Sequence, residues 1–432
     1  MKGRLNLFQA AMLRWRELHP YNAVHVVRIE RPLDRPRLAA IVDRHLQALG
    51  LTGYVLDAKR GRYAWTGGPA ETELTVQPGG ALPMQVLGRA IEQALNTRFE
   101  RDGRLNPFRY FCIDNGTWFH LGVAYDHIIA GGDSIAVLLE GLVARYCGAG
   151  DETPPPPPLD RYPPTYRRLF LRHAWLLVRG IPRLRELAAS CRRAVRPAYP
   201  HGDDPHNAFA YFRLDAPEFA ALARAAKAWG VTVNDVLLAM LLEALAPLAG
   251  ERNPAQHRHE LAVASILNLR RDLGVDPNRT FGQFLSSFRV SHPMPPGISL
   301  EQLARDIRAA TAPIKREKLY LQSLVAIAAS GALWPFLTPE RRRRFHAKNY
   351  PVWGAISLLD VNALWASAGG SMPPPEYIRA VPTGPLTPVV VAATTVGEVL
   401  HLGITYRTAA LTAENIDKMA AVIVACARRL DQ

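Results

Sequence analysis

The stretch that decides the fold is Asp126-His127-Ile128-Ile129-Ala130-Gly131-Gly132-Asp133-Ser134. It directly follows residues 108–125, where two runs rich in aromatic and β-branched side chains flank the pair Asn115-Gly116. Asn-Gly is a preferred pair for a two-residue turn between antiparallel strands, so the sequence predicts a β-hairpin whose second strand ends at the quoted stretch. This places His127 at the end of a strand.

The second half of the stretch predicts a loop that turns into a helix. Gly131 and Gly132 can adopt backbone angles closed to other residues, and the apolar residues 135–142 indicate a helix. A side-chain oxygen of Asp133 or Ser134 can accept a hydrogen bond as the N-cap of that helix. His127 is therefore expected in a tight loop whose glycines leave room for a substrate.

Two interpretations of His127 remain open from the local pattern. Imidazole has an unperturbed pKa close to neutrality, so a histidine fixed in such a loop could remove a proton from a hydroxyl or an amine. Alternatively, His127 is a buried histidine whose ring is satisfied by a backbone carbonyl. The first interpretation makes it a catalytic base and the second a structural residue.

The stretch resembles the His-His-x-x-x-Asp-Gly motif of the chloramphenicol acetyltransferase-like superfamily of coenzyme A-dependent acyltransferases. That superfamily includes condensation domains of nonribosomal peptide synthetases and wax ester synthase/diacylglycerol acyltransferases. His127 matches the catalytic histidine, Gly132 the glycine, and Ser134 a serine often found two residues later. Asp126 replaces the first histidine, and Gly131 replaces an aspartate that in the family holds the loop through an ion pair. The resemblance implies a catalytic His127 and leaves open a degenerate, inactive member.

Further segments resemble the superfamily in the expected order along the chain. Segment 231–239 is similar to the Ala-Thr-x-Asn-Asp-Val-x-Leu-Ala segment of wax ester synthase-type enzymes, and 266–270 resembles the strand ending in arginine that follows it. Segment 281–287 resembles the Gly-x-Phe-x-Asn block of condensation domains, and 400–414 resembles the closing strand and helix. The resemblance therefore spans nearly the whole chain.

The resemblance implies an α/β fold of two chloramphenicol acetyltransferase-like sandwich lobes with a tunnel between them. Residues 1–150 are expected to form the N-terminal lobe with the His127 motif, and residues 211–432 the C-terminal lobe. Residues 151–210 are expected to form a Pro/Arg-rich linker with a connecting helix, because the five consecutive prolines 154–158 exclude helix and central strand. His127 is then expected near the middle of the tunnel.

By the same resemblance the protein is an acyltransferase. His127 would take the proton from a hydroxyl or amine acceptor as the acceptor attacks a thioester carbonyl, without a covalent acyl-enzyme. The backbone N–H groups of Gly131 and Gly132 are expected oxyanion donors. Asp126 could orient the histidine or replace the missing ion pair, and Asp133 could replace the ion pair or cap the helix. The residues expected to bind substrate are Asp133, Ser286, Ser287 and Ser357.

The net charge of +14 indicates an acidic or phosphate-bearing partner. Coenzyme A and the phosphopantetheine arm of an acyl carrier protein both carry phosphate, and an acidic carrier protein would be steered to a basic face. The arginines expected to bind these donors are Arg270, Arg271, Arg289 and the run Arg341-Arg342-Arg343-Arg344. Because no glycine-rich phosphate loop and no nucleic-acid-binding signature accompanies the charge, we expect neither a nucleotide cofactor nor a nucleic-acid partner.

Length and cysteine usage bound the remaining possibilities. The chain has 432 residues, enough for two lobes with real cores. Its 4 cysteines lack paired spacing, which argues against a disulfide framework or a metal site and favours a reducing, cytoplasmic setting. We expect no signal peptide and no transmembrane helix, since no sufficiently long apolar run is present. Residues 166–189 interleave arginines with apolar side chains, and could either contact an anionic membrane surface or form a connecting helix with solvated arginines.

Rival functions remain open beside acyl transfer to a hydrophobic alcohol or amine in lipid or secondary-metabolite biosynthesis. One is a noncatalytic condensation-like scaffold that binds a carrier protein or a lipid, which a closed tunnel around His127 would favour. The other is epimerisation, cyclisation or dehydration of a carrier-bound substrate, in which His127 moves protons but no second substrate enters.

Overall fold

The computed structural model describes residues 2–148, 159, 166–174, 181–250, 256–276, 278–368 and 373–430. The strands in chain order are β1 (Lys2–Arg4), β2 (Asn22–Ile29), β3 (Tyr54–Asp57), β4 (Arg62–Trp65), β5 (Leu74–Pro78), β6 (Gly103–Leu105), β7 (Phe108–Asp114), β8 (Phe119–Asp126), β9 (Asn207–Leu214), β10 (Leu261–Asn268), β11 (Leu285–His292), β12 (Gly354–Asp360), β13 (Tyr377–Ala380), β14 (Val389–Val396) and β15 (Val399–Arg407). The helices in chain order are α1 (Leu7–Leu18), α2 (Arg35–Leu49), α3 (Pro83–Asn96), α4 (Gly132–Cys147), α5 (Arg167–Arg172), α6 (Ile181–Arg193), α7 (Ala216–Ala228), α8 (Val233–Leu245), α9 (Arg270–Leu273), α10 (Leu300–Arg316), α11 (Leu321–Leu333), α12 (Pro339–Asn349), α13 (Val361–Ala368) and α14 (Ala413–Arg429). A 3₁₀ turn, Trp334–Phe336, continues α11.

A five-stranded sheet in the order β13-β2-β8-β7-β5 carries the quoted stretch. Strands β7 and β8 form the predicted hairpin, in which Phe108 pairs with Tyr125 and Asp114 pairs with Phe119. Buried aliphatic residues of α2 and α4 pack with one face of this sheet, and those of α3 pack with the other. The hairpin and the helix that follows it are therefore confirmed.

A six-stranded mixed sheet in the order β11-β10-β12-β14-β15-β9 forms the second half of the fold. Strands β10, β12 and β14 run parallel, whereas β11, β15 and β9 pair antiparallel with their neighbours. Helices α8, α10 and α14 bury one side of this sheet in a single large cluster of apolar side chains. A smaller sheet in the order β1-β4-β3-β6 completes the α/β architecture.

Strand β13 lies late in the chain but belongs to the N-terminal sheet. It pairs antiparallel with β2, so that Arg379 lies opposite His25. Trp365 of the preceding helix α13 is buried in the same apolar cluster as the N-terminal helices α2 and α4. The predicted lobe boundary at residue 211 falls inside β9, and of the predicted linker, residues 151–158, 160–165 and 175–180 lie outside the described part of the chain.

Among the described residues, no single helix is long and apolar enough to cross a bilayer. Two pairs of consecutive helices reach that length together, each with a sharp bend of 108° or 80°.

Candidate functional site

His127 lies where β8 gives way to the loop that leads into α4, as the sequence predicts. Its backbone N–H donates to the carbonyl of Tyr21 at 3.3 Å, and its Nδ1 lies 3.1 Å from the carbonyl oxygen of Ala130. A carbonyl oxygen only accepts, so Nδ1 carries the hydrogen and Nε2 of the neutral ring keeps its lone pair. The rings of Tyr21, stacked at 5.9 Å, and Tyr125, edge-on at 5.7 Å, hold the imidazole between them.

The His127 side chain is closed off from solvent. Only 5% of the residue is exposed. Burial lowers the pKa of His127 to about 4, opposed by the hydrogen bond to Ala130 and reinforced by the charge of Arg379. A cavity of about 10 Å³, lined by Tyr21 and Asp126 among others, lies next to the loop and has room for about one water molecule. The structure therefore combines both interpretations of His127: a buried ring satisfied by a carbonyl, with one nitrogen able to accept a proton.

A buried ion pair between Asp133 and Arg270 holds the loop. The Arg270 Nε contacts the Asp133 carboxylate, to which Asn268 Nδ2 also donates at 2.9 Å. The same guanidinium donates to the carbonyl of Thr280 at 2.6 Å and to the hydroxyl of Ser134. The chain therefore keeps a loop-anchoring carboxylate although Gly131 stands at the motif position.

The helix begins earlier than the predicted cap. Gly131 occupies the N-cap position without a side-chain cap, so the prediction that Asp133 or Ser134 caps α4 is wrong. Both residues lie in the first turn of the helix, where Arg270 forms an ion pair with Asp133 and donates a hydrogen bond to the Ser134 hydroxyl.

The glycines serve for space rather than for unusual backbone angles. Gly131 has an ordinary φ of −85°. A Cβ there would lie 2.9 Å from Asp133 Oδ1, and a Cβ at Gly132 would lie 3.2 Å from Arg379 Nη1. The N–H of Gly131 donates to the carbonyl of Gly282 at 2.9 Å, so it is not free to bind an oxyanion, contrary to the prediction. The N–H of Gly132 lies in the first helical turn, where no intrahelical acceptor exists.

Asp126 does not orient His127. Its carboxylate is ion-paired with the buried Arg16 of α1 and accepts a hydrogen bond from the N–H of Ile128 at 3.2 Å. Burial raises the pKa of Asp126, and the neighbouring Arg16 opposes that shift. Asp126 thus ties α1 to the start of the loop through an ion pair, which agrees with the second of its two predicted roles and not with orientation of the histidine.

Gln283 is a site residue that the sequence did not single out. The side-chain Nε2 of Gln283 donates to the backbone carbonyls of His127 at 3.1 Å and Ala130 at 3.3 Å. The backbone carbonyl of Gln283 accepts a hydrogen bond from Asn6 Nδ2 at 2.7 Å. Segment 281–287 therefore contacts the histidine loop through hydrogen bonds of Gln283. In the sequence, only the position of Gln283 inside this segment could have indicated its role.

Arg379 is the second missed residue. It is 2% exposed, and it donates to Thr394 Oγ1 at 2.8 Å and to the carbonyls of Ser357 at 2.5 Å and Ala393 at 2.8 Å. Burial lowers the pKa of Arg379 to about 10, so the guanidinium stays charged near neutrality. His25 lies opposite, and burial, followed by the charge of Arg379, lowers its pKa well below the usual value. The available signal was a single charge within an otherwise apolar strand.

The predicted substrate-binding serines separate in the structure. Ser286 is fully buried, and its hydroxyl donates to the carbonyl of Tyr320 at 2.7 Å, which fixes β11 to the start of α11. Ser287 is partly exposed on the same strand. Ser357 alone lies beside Arg379, which donates to both its carbonyl and its hydroxyl.

Of the predicted donor-binding arginines, Arg271 and, in the run 341–344, Arg341, Arg343 and Arg344 are at the surface. Arg270 is 4% exposed because it forms the ion pair with Asp133. Arg289 is 7% exposed, and its donors go to the carbonyl of Pro351 at 3.1 Å and to the hydroxyl of Ser190 at 2.6 Å. Burial and internal hydrogen bonds therefore remove Arg270 and Arg289 as phosphate-binding residues. Within the described residues, no group of three or more His, Cys, Asp or Glu side chains is arranged to hold a metal ion.

Comparison with known proteins identifies the fold. No family model matches the sequence, and no curated protein sequence matches it either. The first condensation domain of the calcium-dependent antibiotic synthetase superposes with a TM-score of 0.68 at 15% identity, covering 100% of this chain and 97% of that one. The chain has the condensation-domain fold. An epimerisation domain of tyrocidine synthetase B matches with a TM-score of 0.65 at 15% identity, covering 100% and 97% of the two chains. A cyclisation-docking bidomain from Sorangium cellulosum matches with a TM-score of 0.67 at 14% identity, covering 100% and 85%.

The condensation-domain fold confirms the predicted chloramphenicol acetyltransferase-like α/β class. Solved structures with this fold include condensation, epimerisation and cyclisation domains of synthetases, so the fold alone allows several reactions.

Proposed function

We propose that this protein is an acyltransferase that moves an acyl group from a thioester to a hydroxyl or amine acceptor, with His127 as general base. The observation that carries the proposal is the hydrogen bond from Nδ1 of His127 to the carbonyl of Ala130, at 3.1 Å. It fixes the ring and leaves the Nε2 lone pair as the proton acceptor. The buried Asp133–Arg270 ion pair supports the proposal further, because it supplies the loop anchor that the sequence motif lacks.

The reaction needs one proton acceptor and a site for negative charge. Nε2 of His127 takes the proton of the acceptor as its oxygen or nitrogen bonds to the thioester carbon, giving a tetrahedral oxyanion. The intermediate collapses with cleavage of the C–S bond, and the departing thiolate receives the proton. The charged Arg379, whose Nη1 lies 3.2 Å from the Cβ position of Gly132, provides positive charge beside the loop for the oxyanion.

The donor we propose is coenzyme A or a phosphopantetheine-bearing carrier protein. The net charge of +14 favours a phosphate-bearing or acidic partner. Arg271, which directly follows the buried Arg270 in the chain, is exposed and available for that contact. The neighbours from peptide synthetases favour the carrier protein. The acceptor we propose is a hydrophobic alcohol or amine, and the setting is cytoplasmic.

One observation favours a second candidate, a noncatalytic scaffold that binds a carrier protein or a lipid. His127 is 5% exposed, so its ring is covered by neighbouring residues in this structure. Acyl transfer therefore requires that these residues move to admit the acyl chain and the acceptor. The scaffold requires no such movement.

The mass of the product tests these alternatives. The protein is incubated with acyl-coenzyme A donors of different chain length, or with acylated carrier protein, together with mixed alcohols and amines. Acyl transfer predicts a new mass equal to the acyl group joined to the acceptor. Loss of water from a carrier-bound substrate would instead indicate dehydration, and inversion, which leaves the mass unchanged and is detected by chiral chromatography of the released substrate, would indicate epimerisation. Unchanged donors and acceptors throughout would contradict acyl transfer and favour the scaffold.

A further inference from the structure

Helix α11 and the 3₁₀ turn after it present an uncharged apolar surface to solvent. Val325, Leu333 and Phe336 are 37%, 56% and 84% exposed. The exposed residues of this surface are Val325, Ala326, Ala328, Ala329, Ala332, Leu333, Pro335 and Phe336, which we call the apolar face. The opposite side of α11 packs in the protein interior, where Leu321 and Leu324 are buried against α1. The apolar face therefore does not contribute to the core.

A basic helix lies at the end of the apolar face. Helix α12 contains the run Arg341-Arg342-Arg343-Arg344 and Lys348 but only one acidic residue, Glu340. Arg342 fixes its position, since the guanidinium lies over the Trp334 ring at 5.8 Å and donates to the Trp334 carbonyl at 3.2 Å. The remaining arginines of the run are exposed.

We propose that the apolar face and α12 together bind the surface of an anionic lipid bilayer. In an interfacial contact, apolar side chains enter the boundary between headgroups and acyl chains while basic side chains pair with anionic headgroups. The arrangement of an uncharged face beside a cluster of arginines meets both requirements. The contact is peripheral and independent of the chemistry at His127, so it goes beyond the proposed function.

The composition of the apolar face favours lipid over a protein partner. None of its side chains can donate or accept a hydrogen bond, whereas protein interfaces carry about one hydrogen bond per 100–200 Å². A second copy of this chain is disfavoured by charge, because each copy carries a net charge of +14, whereas an anionic bilayer offers the exposed arginines of α12 an opposite charge.

The surface differs from the one the sequence suggested. The predicted membrane segment was 166–189, and within its described part Leu171 is 68% exposed at the end of α5. Leu169 of α5 is buried in the same apolar cluster as Leu321 and Leu324 of α11. The proposed membrane contact lies on α11 and α12 instead, and α5 packs through Leu169 with the buried side of α11.

The test is flotation of the full-length protein with vesicles of phosphatidylcholine, with and without phosphatidylglycerol. The apolar variant is Leu333→Ser with Phe336→Ser, and its matched control is Leu82→Ser, a leucine that is 57% exposed on the N-terminal half. The charge variant is Arg341→Glu with Arg344→Glu. Its control is Arg60→Glu with Arg62→Glu, because Arg60 and Arg344 are similarly exposed at 77% and 71% and each pairs with one nearby carboxylate at 3.6 Å.

We expect the wild type to float with the phosphatidylglycerol vesicles only, and less so at high salt. Each test variant should lower the bound fraction at least about tenfold, while both controls bind like wild type. Circular dichroism verifies that every variant is folded. Absence of wild-type binding, or equal binding by test and control variants, overturns the proposal. So would a wild-type dimer in light scattering that Leu333→Ser with Phe336→Ser dissociates, since the apolar face would then bind a second copy.

Discussion

The Asp133 carboxylate is ion-paired with the Arg270 guanidinium, and the two side chains are only 6% and 4% exposed. A Cβ at Gly131 would lie 2.9 Å from Asp133 Oδ1, so the space that an aspartate at the motif position would enter is already taken by this carboxylate. The loop therefore carries its buried carboxylate two residues later than the motif that it resembles, in the first turn of the helix.

Loss of this ion pair should destabilise the fold strongly. Asp133→Asn leaves the buried Arg270 without its counter-ion, which costs about 3–5 kcal/mol in comparable buried pairs. The free energy of unfolding in urea measures the effect. Glu301→Gln breaks the exposed pair with Arg305 and should cost less than about 1 kcal/mol. Equal losses for the two variants would contradict the assigned role of Asp133.

A carboxylate placed at position 131, as in the motif that the loop resembles, should compensate for the loss of the Asp133 carboxylate. Gly131→Asp alone places a second carboxylate against Asp133 and should destabilise the protein. Gly131→Asp combined with Asp133→Ser removes the competition and lets the new aspartate pair with Arg270. We expect the double variant to be more stable than either single variant in urea unfolding, and a double variant that merely sums the two losses would argue against an exchange of position.

The sequence predicted the elements that depend on neighbouring residues and missed those that depend on distant ones. The hairpin over β7 and β8 follows from its two runs of aromatic and β-branched residues and the Asn115-Gly116 pair between them. The burial of Arg270 could not be foreseen, because its partner lies 137 residues earlier in the chain and no local pattern connects them. The pairing of strand β13 with β2 could not be predicted either, since the sequence of a short strand does not show which sheet it joins. This pairing places Arg379 opposite His25 and so at the site.

Arg379 should hold the pKa of His127 down. Its charge reinforces the lowering that burial causes in the pKa of His127 and of His25. Arg379→Gln is therefore expected to raise the pKa of His127 above about 4, as measured by pH titration of isotopically labelled histidine in NMR. Arg379→Lys keeps the charge and serves as the control, with a pKa close to that of the wild type. An unchanged pKa in Arg379→Gln would remove Arg379 from the electrostatics of the site.

Stability should fall steeply in acid. Burial lowers the pKa of His19 and His45 to about 3 and that of His127, His346 and His401 to about 4. In the unfolded chain these histidines keep a pKa of about 6.5. Between these values only the unfolded chain binds the protons, so stability is full above about pH 6.5 and is lost progressively as the pH falls towards the folded pKa values. At about pH 5, each histidine should account for a loss of about 2 kcal/mol.

The acid effect can be assigned by substitution. His45→Gln removes one titrating group and should flatten the decrease of the unfolding free energy between neutral pH and about pH 5 by about 2 kcal/mol. His201→Gln changes an exposed histidine and should leave the slope as it is. A flat stability profile in the wild type would contradict the burial of these rings.

One thiol should react quickly in the native protein. Cys147 is exposed, whereas Cys112, Cys191 and Cys426 are buried. Burial raises the pKa of Cys426 to about 11, which further suppresses its thiolate. A disulfide-exchange reagent should therefore modify one cysteine rapidly and the other three only on unfolding. Cys147→Ser should abolish the rapid phase, and a rapid phase of more than one thiol would contradict the packing described here.

Thiol release from acyl donors shows whether His127 is the base of an acyl transfer. In a Cys147→Ser background, release of thiol from acyl donors is followed with and without alcohols and amines, and His127→Ala is compared with His201→Ala. The account predicts acceptor-dependent release that falls at least about 100-fold in His127→Ala and is unchanged in His201→Ala, with both variants folded. Acceptor-dependent release that persists in folded His127→Ala would contradict it.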